Sequence, residues 1–409
     1  MKECIKVGLL GAGTVGSGVL TVLEENTAEI EKKVGVPIHV SKILVRDMKK
    51  AKELSEKYQL TDKIEDIVED PEIDIVVELI GREHPAKEYI AAALEHKKNV
   101  VTANKDVLAK YGKELFPLAE ENKVDFMFEA SVGGGIPIIR PLKSCLAANK
   151  VTSVMGIVNG TTNYMLTKMS QENMDYADVL REAQEKGYAE SDPTADVGGL
   201  DAARKLVILA SIAFNTRIDL SDVLVEGIDG LDLCDIEHGK ELGYAIKLLA
   251  IAKNNAEHGL SVCVRPTMLP VFHPLAGVND VFNAVFVHGN VLGDAMFYGS
   301  GAGKLPTASA VVADVVDEAK HLHRNIMTNW SSRPLKLMTM DEVEGRFFVR
   351  VKGTTVEQVE AVFDNVQIVN LKNLPGEFGF ITECMKQGTY EEKVHKLNGN
   401  VITMIRVKD

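Results

Sequence analysis

The stretch Ile5-Lys-Val-Gly-Leu-Leu10-Gly11-Ala12-Gly13-Thr14-Val15-Gly16-Ser-Gly-Val-Leu20 decides the fold. Ile5–Leu10 reads as a short apolar strand, and the residues after the glycines read as a helix to about Glu25. In that context Gly-x-Gly-x-x-Gly has a physical meaning that a glycine-rich turn elsewhere lacks. Gly11 permits the tight turn, Gly13 lets backbone approach a pyrophosphate, and Gly16 allows helix and strand to pack closely. Ala12, Thr14 and Val15 lie within the same turn, and the helix N-terminus offers unpaired N–H groups to phosphates. The reading is a dinucleotide-binding turn.

Downstream, strand and helix patterns alternate. Strands are expected at 37–45, 73–79, 99–102 and 124–128, with helices over 49–58, 85–96 and 107–122. Such alternation implies a Rossmann-type, doubly wound parallel sheet in an α/β protein. Ligands of these sheets bind outside the carboxyl ends of the strands. Two basic residues follow strand ends: Arg46, with Asp47 beside it, and Lys105 in Thr102-Ala-Asn104-Lys105. An acid after the second strand favours a free ribose hydroxyl, an arginine a 2′-phosphate. Arg46 tilts the reading towards NADP(H) over NAD(H), with Lys57 either a helper or a solvated residue of the next helix.

The middle of the chain is patterned differently. A strand at 151–158 leads into Asn159-Gly-Thr-Thr-Asn163-Tyr, whose polar residues can cap a helix running to Met169. Helices are expected at 175–186 and 236–258, and strands at 261–269, 281–287 and 291–298. Gly289-Asn290 makes a hairpin-like turn between the last two. This is a mixed α/β domain, catalytic in the reading that follows, whose antiparallel sheet could pair with a second subunit.

Within it runs Gly187-Tyr-Ala-Glu190-Ser-Asp192-Pro-Thr-Ala-Asp196-Val-Gly-Gly-Leu-Asp201-Ala-Ala-Arg-Lys205-Leu206. Asp-Pro and Gly-Gly break any earlier helix, so a new one should begin near Gly199. Asp201 and Lys205 are then four apart on one face. The bland reading is a surface salt bridge. The sharper one is a group of acids holding a substrate ammonium beside one lysine. Like charges gathered next to a core segment are costly unless something binds there.

Two glycine segments remain. Glu129-Ala-Ser-Val132-Gly-Gly134-Gly-Ile136 is either a crossover hinge between domains or an oxygen site for a hard cation, made of exposed carbonyls and one carboxylate. Gly299-Ser-Gly301-Ala-Gly303-Lys304-Leu305 precedes a helix expected from Ala308 to about Arg324, but Leu305 replaces the Ser/Thr of a phosphate-binding loop. His321 and His323 face apart on that helix, and no transition-metal site is expected. Beyond a connector at 331–344, strands at 346–351, 366–370, 378–384 and 401–407 and helices at 356–363 and 390–397 give a small C-terminal βαββαβ module.

Composition bounds these readings. The chain has 409 residues, enough for two or three domains. A net charge of -13 argues against a dedicated nucleic-acid binder. No apolar run approaches the roughly 20 residues of a membrane span, and the N-terminus leads at once into a strand, so neither membrane nor export signal is expected. Five scattered cysteines without a C-x-x-C pair fit a reducing cytoplasm.

The stretch 187–206 resembles the signature of homoserine dehydrogenases: Gly-Tyr-Ala-Glu, Asp-Pro, then Asp-Val-x-Gly-x-Asp-Ala-Ala-Arg-Lys-Leu. The resemblance is strong over 1–325 and loose over 346–409. It implies reversible hydride transfer between NAD(P)H and L-aspartate 4-semialdehyde, giving L-homoserine in threonine, methionine and isoleucine biosynthesis. It also implies that Lys205 exchanges the carbinol proton and that Lys105 contacts cofactor and substrate. Glu190 and Asp201 would hold the substrate, with Asp196 and Gly187 beside them. Gly303 would approach the cofactor, and Glu129, Val132, Gly134 and Ile136 would hold a sodium ion. The implied division is a cofactor domain at 1–135, with helix 308–325 packing back on it, a catalytic and dimerisation domain at 136–307, and a module at 345–409 similar to ACT domains.

ACT domains usually carry Asp-x-Pro-Gly after their first strand, whereas this chain has Lys352-Gly353-Thr-Thr, so the module either senses an amino acid such as threonine or only aids assembly. The partner expected is a small molecule, in a homodimer or homotetramer. A cut at about residue 340 should spare the catalytic residues, since the connector is expected to touch little of any core. Two other classes stay open. Aspartate semialdehyde dehydrogenases need a cysteine nucleophile, for which Cys145, Cys234 and Cys263 lack the surroundings. A non-enzymatic NAD(P) sensor would need neither lysine.

Overall fold

The computed structural model describes every residue except 1, 50, 256–258, 323–334, 370–373, 375, 398–399 and 409. His258, His323, Arg324, Asn370, Pro375 and the start of the connector therefore lie outside the described residues. The chain divides into two compact units, one of residues 1–150, 207–220 and 297–334 and the other of 151–206, 221–296 and 335–409.

The first unit holds six parallel strands: β1 (Ile5–Leu10), β2 (Ile38–Leu44), β3 (Gln59–Thr61), β4 (Ile75–Glu78), β5 (Asn99–Thr102) and β6 (Phe126–Met127). Their order is β3-β2-β1-β4-β5-β6. The order reverses between β1 and β4, which is where such sheets open a crevice. Val7, Leu9, Ile75 and Val77 are fully buried, so the central strands read as continuous apolar runs. The helix Lys304–His321 packs on this core through Ala308, Val311 and Val315. It begins four residues before the apolar run that marked it in the sequence.

In this unit one expected helix fails, and some elements, β3 among them, were not expected. Where a helix was expected over 49–58, the described residues form only a short 3-10 turn at Leu54–Glu56, although Ala51, Leu54 and Tyr58 pack on the core at helical spacing. An unpredicted helix, Thr27–Val34, lies before β2 and lengthens the connection from the glycine turn.

The second unit is built on a long sheet. Its strands are β7 (Val151–Ile157), β8 (Leu224–Val225), β9 (Tyr244–Asn255), β10 (Gly259–Pro270), β11 (Phe282–Gly289), β12 (Gly293–Ser300), β13 (Glu344–Lys352), β14 (Gln367–Val369), β15 (Glu377–Ile381), β16 (Met385–Lys386) and β17 (Asn400–Val407). The main path is β12-β11-β7-β9-β10-β17-β13-β15-β14. The long helix expected at 236–258 is instead a helix, Leu233–Glu241, followed by β9. Gly243, at φ +82, turns the chain between them. The run 244–252 is apolar enough to suit either period, and pairing with β10 along its whole length decides for strand.

The C-terminal segment has the expected βαββαβ order, with helices Val356–Glu360 and Gln387–Val394. Its sheet order is β17-β13-β15-β14, around a core of Phe347, Val349, Phe363, Phe380 and Tyr390. It is not a loosely tethered appendage. β17 pairs with β10 at Thr267–Arg406 and Met268–Val407. Arg350 of β13 reaches Asp232 at 2.5 Å and Asp235 at 3.3 Å, both at the start of the helix Leu233–Glu241. A cut at 340 would strip β10 of a neighbour and Asp235 of its cation.

Arg350 is 3% exposed and Asp235 fully buried. Burial, and then Asp232, push the Asp235 carboxyl up to about 6 while Arg350 opposes the rise. Removing one partner of a buried pair strands the other, so Arg350→Met is expected to cost about 3–5 kcal/mol at pH 8. Without the guanidinium the folded-state pKa of Asp235 rises further above its unfolded value. The penalty is then full above that pKa and shrinks as pH falls and the carboxyl takes a proton. Urea melts at pH 5 and pH 8 check this: an equal loss at both would contradict it.

Candidate active site

The turn after β1 is open in front and packed behind. Gly13 caps the helix Thr14–Glu25 without a side-chain hydrogen bond, which leaves the first N–H groups of that helix for a ligand. A Cβ built on Gly13 would meet nothing within 4 Å, whereas one on Gly16 would lie 2.2 Å from the Gly11 carbonyl oxygen. Gly11 itself is at φ +94. These residues fit a dinucleotide pyrophosphate: backbone can approach where Gly13 is bare, and no side chain fits where Gly16 meets the turn.

Arg46 stands exposed just beyond β2, and neighbouring Asp47 accepts the Lys49 N–H at 3.0 Å. Lys57 is engaged elsewhere, 3.2 Å from Glu24. Lys105 opens the helix Lys105–Asn122 immediately after β5. Asn104 caps that helix, accepting the Val107 N–H at 3.2 Å and donating to the Arg82 carbonyl at 2.7 Å.

Glu129 is buried, and its carboxylate accepts the backbone N–H groups of Ile138, Ile139 and Arg140 at 2.5, 2.8 and 2.8 Å. Its own N–H donates to Asp314 at 2.7 Å. Burial, and then the Glu129 charge, push Asp314 up to about 7. The Glu129 side chain is thus committed to peptide groups. A hard cation here would rest mainly on the loop carbonyls of Glu129, Val132, Gly134 and Ile136. Among the described residues no three His, Cys, Asp or Glu side chains gather as a metal site. Gly134 packs so closely on the 299–303 loop that a Cβ would lie 2.5 Å from the Gly301 carbonyl oxygen. Gly303, at φ +121, then caps the helix Lys304–His321.

In the second unit, Asp201 and Lys205 occupy the first turns of the helix Leu200–Ala213. Lys205 Nζ donates to Asp201 Oδ2 at 2.7 Å and to the Val158 carbonyl at 2.6 Å. The two side chains are only 13% and 12% exposed, so this is no solvated surface pair. Asn159, following β7, donates to Asp196 Oδ1 at 2.7 Å and to Asp201 Oδ2 at 2.8 Å. Its oxygen accepts the Thr162 N–H at 2.9 Å and so caps the helix Gly160–Glu172.

Of the four acids in the stretch, this network joins Asp196 and Asp201. Asp192 turns instead to the Thr194 hydroxyl at 2.6 Å. Glu190 is exposed, its carbonyl accepting from Gln184 at 3.1 Å. Gly187, at φ +73, turns the chain before it, and the Thr161 hydroxyl holds the Tyr188 carbonyl at 2.6 Å. Sequence reasoning took Asn159 for a helix cap and missed its second task. The amide reaches acids 37 and 42 residues away, a link that no local pattern displays.

Residues 11–129 match the family model of the homoserine dehydrogenase NAD-binding domain, and residues 137–316 that of homoserine dehydrogenase. The Bacillus subtilis homoserine dehydrogenase is 48% identical over 80% of this chain and 76% of its own. The crystal structure of a homoserine dehydrogenase from Thiobacillus denitrificans superposes with a TM-score of 0.92 at 39% identity, covering 100% of this chain and 99% of that one. A hyperthermophilic archaeal homoserine dehydrogenase in complex with NADPH gives 0.66 at 29% identity, over 77% of this chain and 97% of its own. The dinucleotide turn thus falls inside the segment that the NAD-binding model matches and the buried lysine–carboxylate helix inside the one that the second model matches, and the chain belongs to the homoserine dehydrogenase family of NAD(P)-dependent oxidoreductases.

Proposed function

We propose that the chain interconverts L-aspartate 4-semialdehyde and L-homoserine with Lys205 as the proton-exchanging group and NADP(H) as the favoured cofactor. The observation that carries this reading is the setting of Lys205. An ammonium has three N–H donors, and Val158 and Asp201 take two. The third is left for a substrate oxygen. When bound, the cofactor supplies the hydride that turns the aldehyde carbon into a carbinol. Lys205 stabilises the negative charge growing on the oxygen and gives it a proton. In the oxidising direction Lys205 takes the proton back.

Asp201 and Asp196, held in place by Asn159, would keep the substrate oriented, with Glu190 and the Gly187 turn closing on its ammonium group. Lys105 would contact cofactor and substrate, supported by its place at the carboxyl end of β5. Gly11, Ala12, Gly13, Thr14, Val15 and Gly16 would hold the cofactor, with Gly303 nearby. Arg46 supports NADP(H), as does the NADPH complex of the archaeal relative.

The finer parts of this reading are a sodium ion on the carbonyls of Glu129, Val132, Gly134 and Ile136, a homodimer or homotetramer, a cytoplasmic setting, and a role in making threonine, methionine and isoleucine. Successive positive φ angles at Gly133 and Gly134 support the ion, since they turn carbonyls to one side. The strand order β17-β13-β15-β14 supports an ACT-like assignment for the tail. The domain division 1–135, 136–307 and 345–409 belongs to the same proposal.

Lys205→Ala is expected to lower kcat by about 10²–10⁴-fold while the chain still folds and binds NADPH, with a lower melting temperature because Asp201 loses its ammonium partner. Turnover near that of the wild type, measured by NADPH absorbance with aspartate semialdehyde, would remove Lys205 from the mechanism. Arg46→Ala should weaken NADPH by roughly 10- to 100-fold and NADH little, a charge-assisted contact to the 2′-phosphate being worth about 1.5–3 kcal/mol. Titration of both cofactors checks this, and equal losses would return preference to NAD(H).

A further inference from the structure

Glu78 ends β4 and is fully buried, yet no step above uses it. Its Oε1 accepts the Ile80 N–H at 2.7 Å and the Gly81 N–H at 3.4 Å. Its Oε2 accepts the Thr102 hydroxyl of β5 at 2.7 Å. That hydroxyl in turn accepts the Asn104 N–H at 3.0 Å. Asn104 closes the circuit by capping the helix that begins at Lys105 and by holding the Arg82 carbonyl.

The location matters as much as the bonds. β4 lies between β1 and β5. A Cβ on Gly11 would meet the Leu79 carbonyl oxygen at 3.1 Å and the Ile80 nitrogen at 3.3 Å, so the glycine turn rests against the loop that Glu78 gathers. Burial pushes the Glu78 carboxyl up, and its hydrogen bonds oppose that rise. A fully desolvated carboxylate is expensive, and an apolar residue would fill a strand end at lower cost. What the carboxylate adds is simultaneous hold on two loops at the mouth of the sheet.

We propose that Glu78 is a positioning residue for the reaction, binding the 80–82 loop and the Thr102–Asn104 turn into one frame that sets Lys105. The inference rests on the role assigned to Lys105, and the test separates the two. Glu78→Gln keeps the shape but faces the Thr102 hydroxyl with a donor. Thr102→Val removes the same link without touching the 80–81 turn, so it serves if the glutamine variant folds badly. Each is made in the full chain, with Lys105 intact and with Lys105→Ala.

With Lys105 present, each change should lower kcat roughly 10- to 100-fold, the effect of misplacing a reacting group by about 1 Å. Homoserine KM should move far less, and Thr102→Ser should restore the rate. With Lys105 absent, the same changes should lower kcat by less than about threefold, because residues acting through one another are not additive. Equal losses in both backgrounds would overturn the positioning role alone. Full turnover by Lys105→Ala would overturn the role of Lys105 and this inference with it.

Discussion

A carboxylate taken out of water must be met by donors, and the working parts of this molecule are arranged around three that are. Glu78 gathers two backbone N–H groups and a hydroxyl at the ends of β4 and β5. Glu129 takes three successive N–H groups of the segment 138–140. Asp201 takes an amide and an ammonium. Each carboxylate fixes the course of the backbone it accepts from. The cost of leaving any of them unpaired is what holds those loops in one shape.

The Asp201 case shows how the arrangement fixes a side chain. A lysine on a helix would ordinarily sample many rotamers in solvent. Here a backbone carbonyl and a carboxylate fix the ammonium, and Asn159 fixes the carboxylate in turn. Asn159 can do so because it caps the next helix through its oxygen and so has both N–H donors to give. One residue thereby ties a helix start, a loop acid and a helix acid together.

The C-terminal segment follows the same logic through a buried cation. Arg350 leaves β13 to meet two aspartates that begin another helix of its unit. β17 pairs with β10 and carries the sheet on to β13. A βαββαβ fold of this kind can stand alone, but here its strands and its arginine are spent on the neighbouring sheet. Loss of the tail is therefore a matter of stability before it is one of regulation.

Read alone, the sequence determined the parallel sheet, the dinucleotide turn and the Asp201–Lys205 helix, because each is set by residues within about one turn or strand of one another. Gly16 shows why: the contact that excludes its side chain is with Gly11, five positions away, so sequence spacing suffices to read it. Tertiary structure decided what depends on distant partners. The run 244–255 became a strand because β10 pairs with all of it, although its apolar pattern suits a helix as well. Asn159 became a bridge, and Glu78 a staple, through donors and acceptors tens of residues away. Local propensity chooses between helix and turn when neighbours along the chain decide. Where burial and hydrogen bonding to remote segments decide, only the folded chain holds the answer.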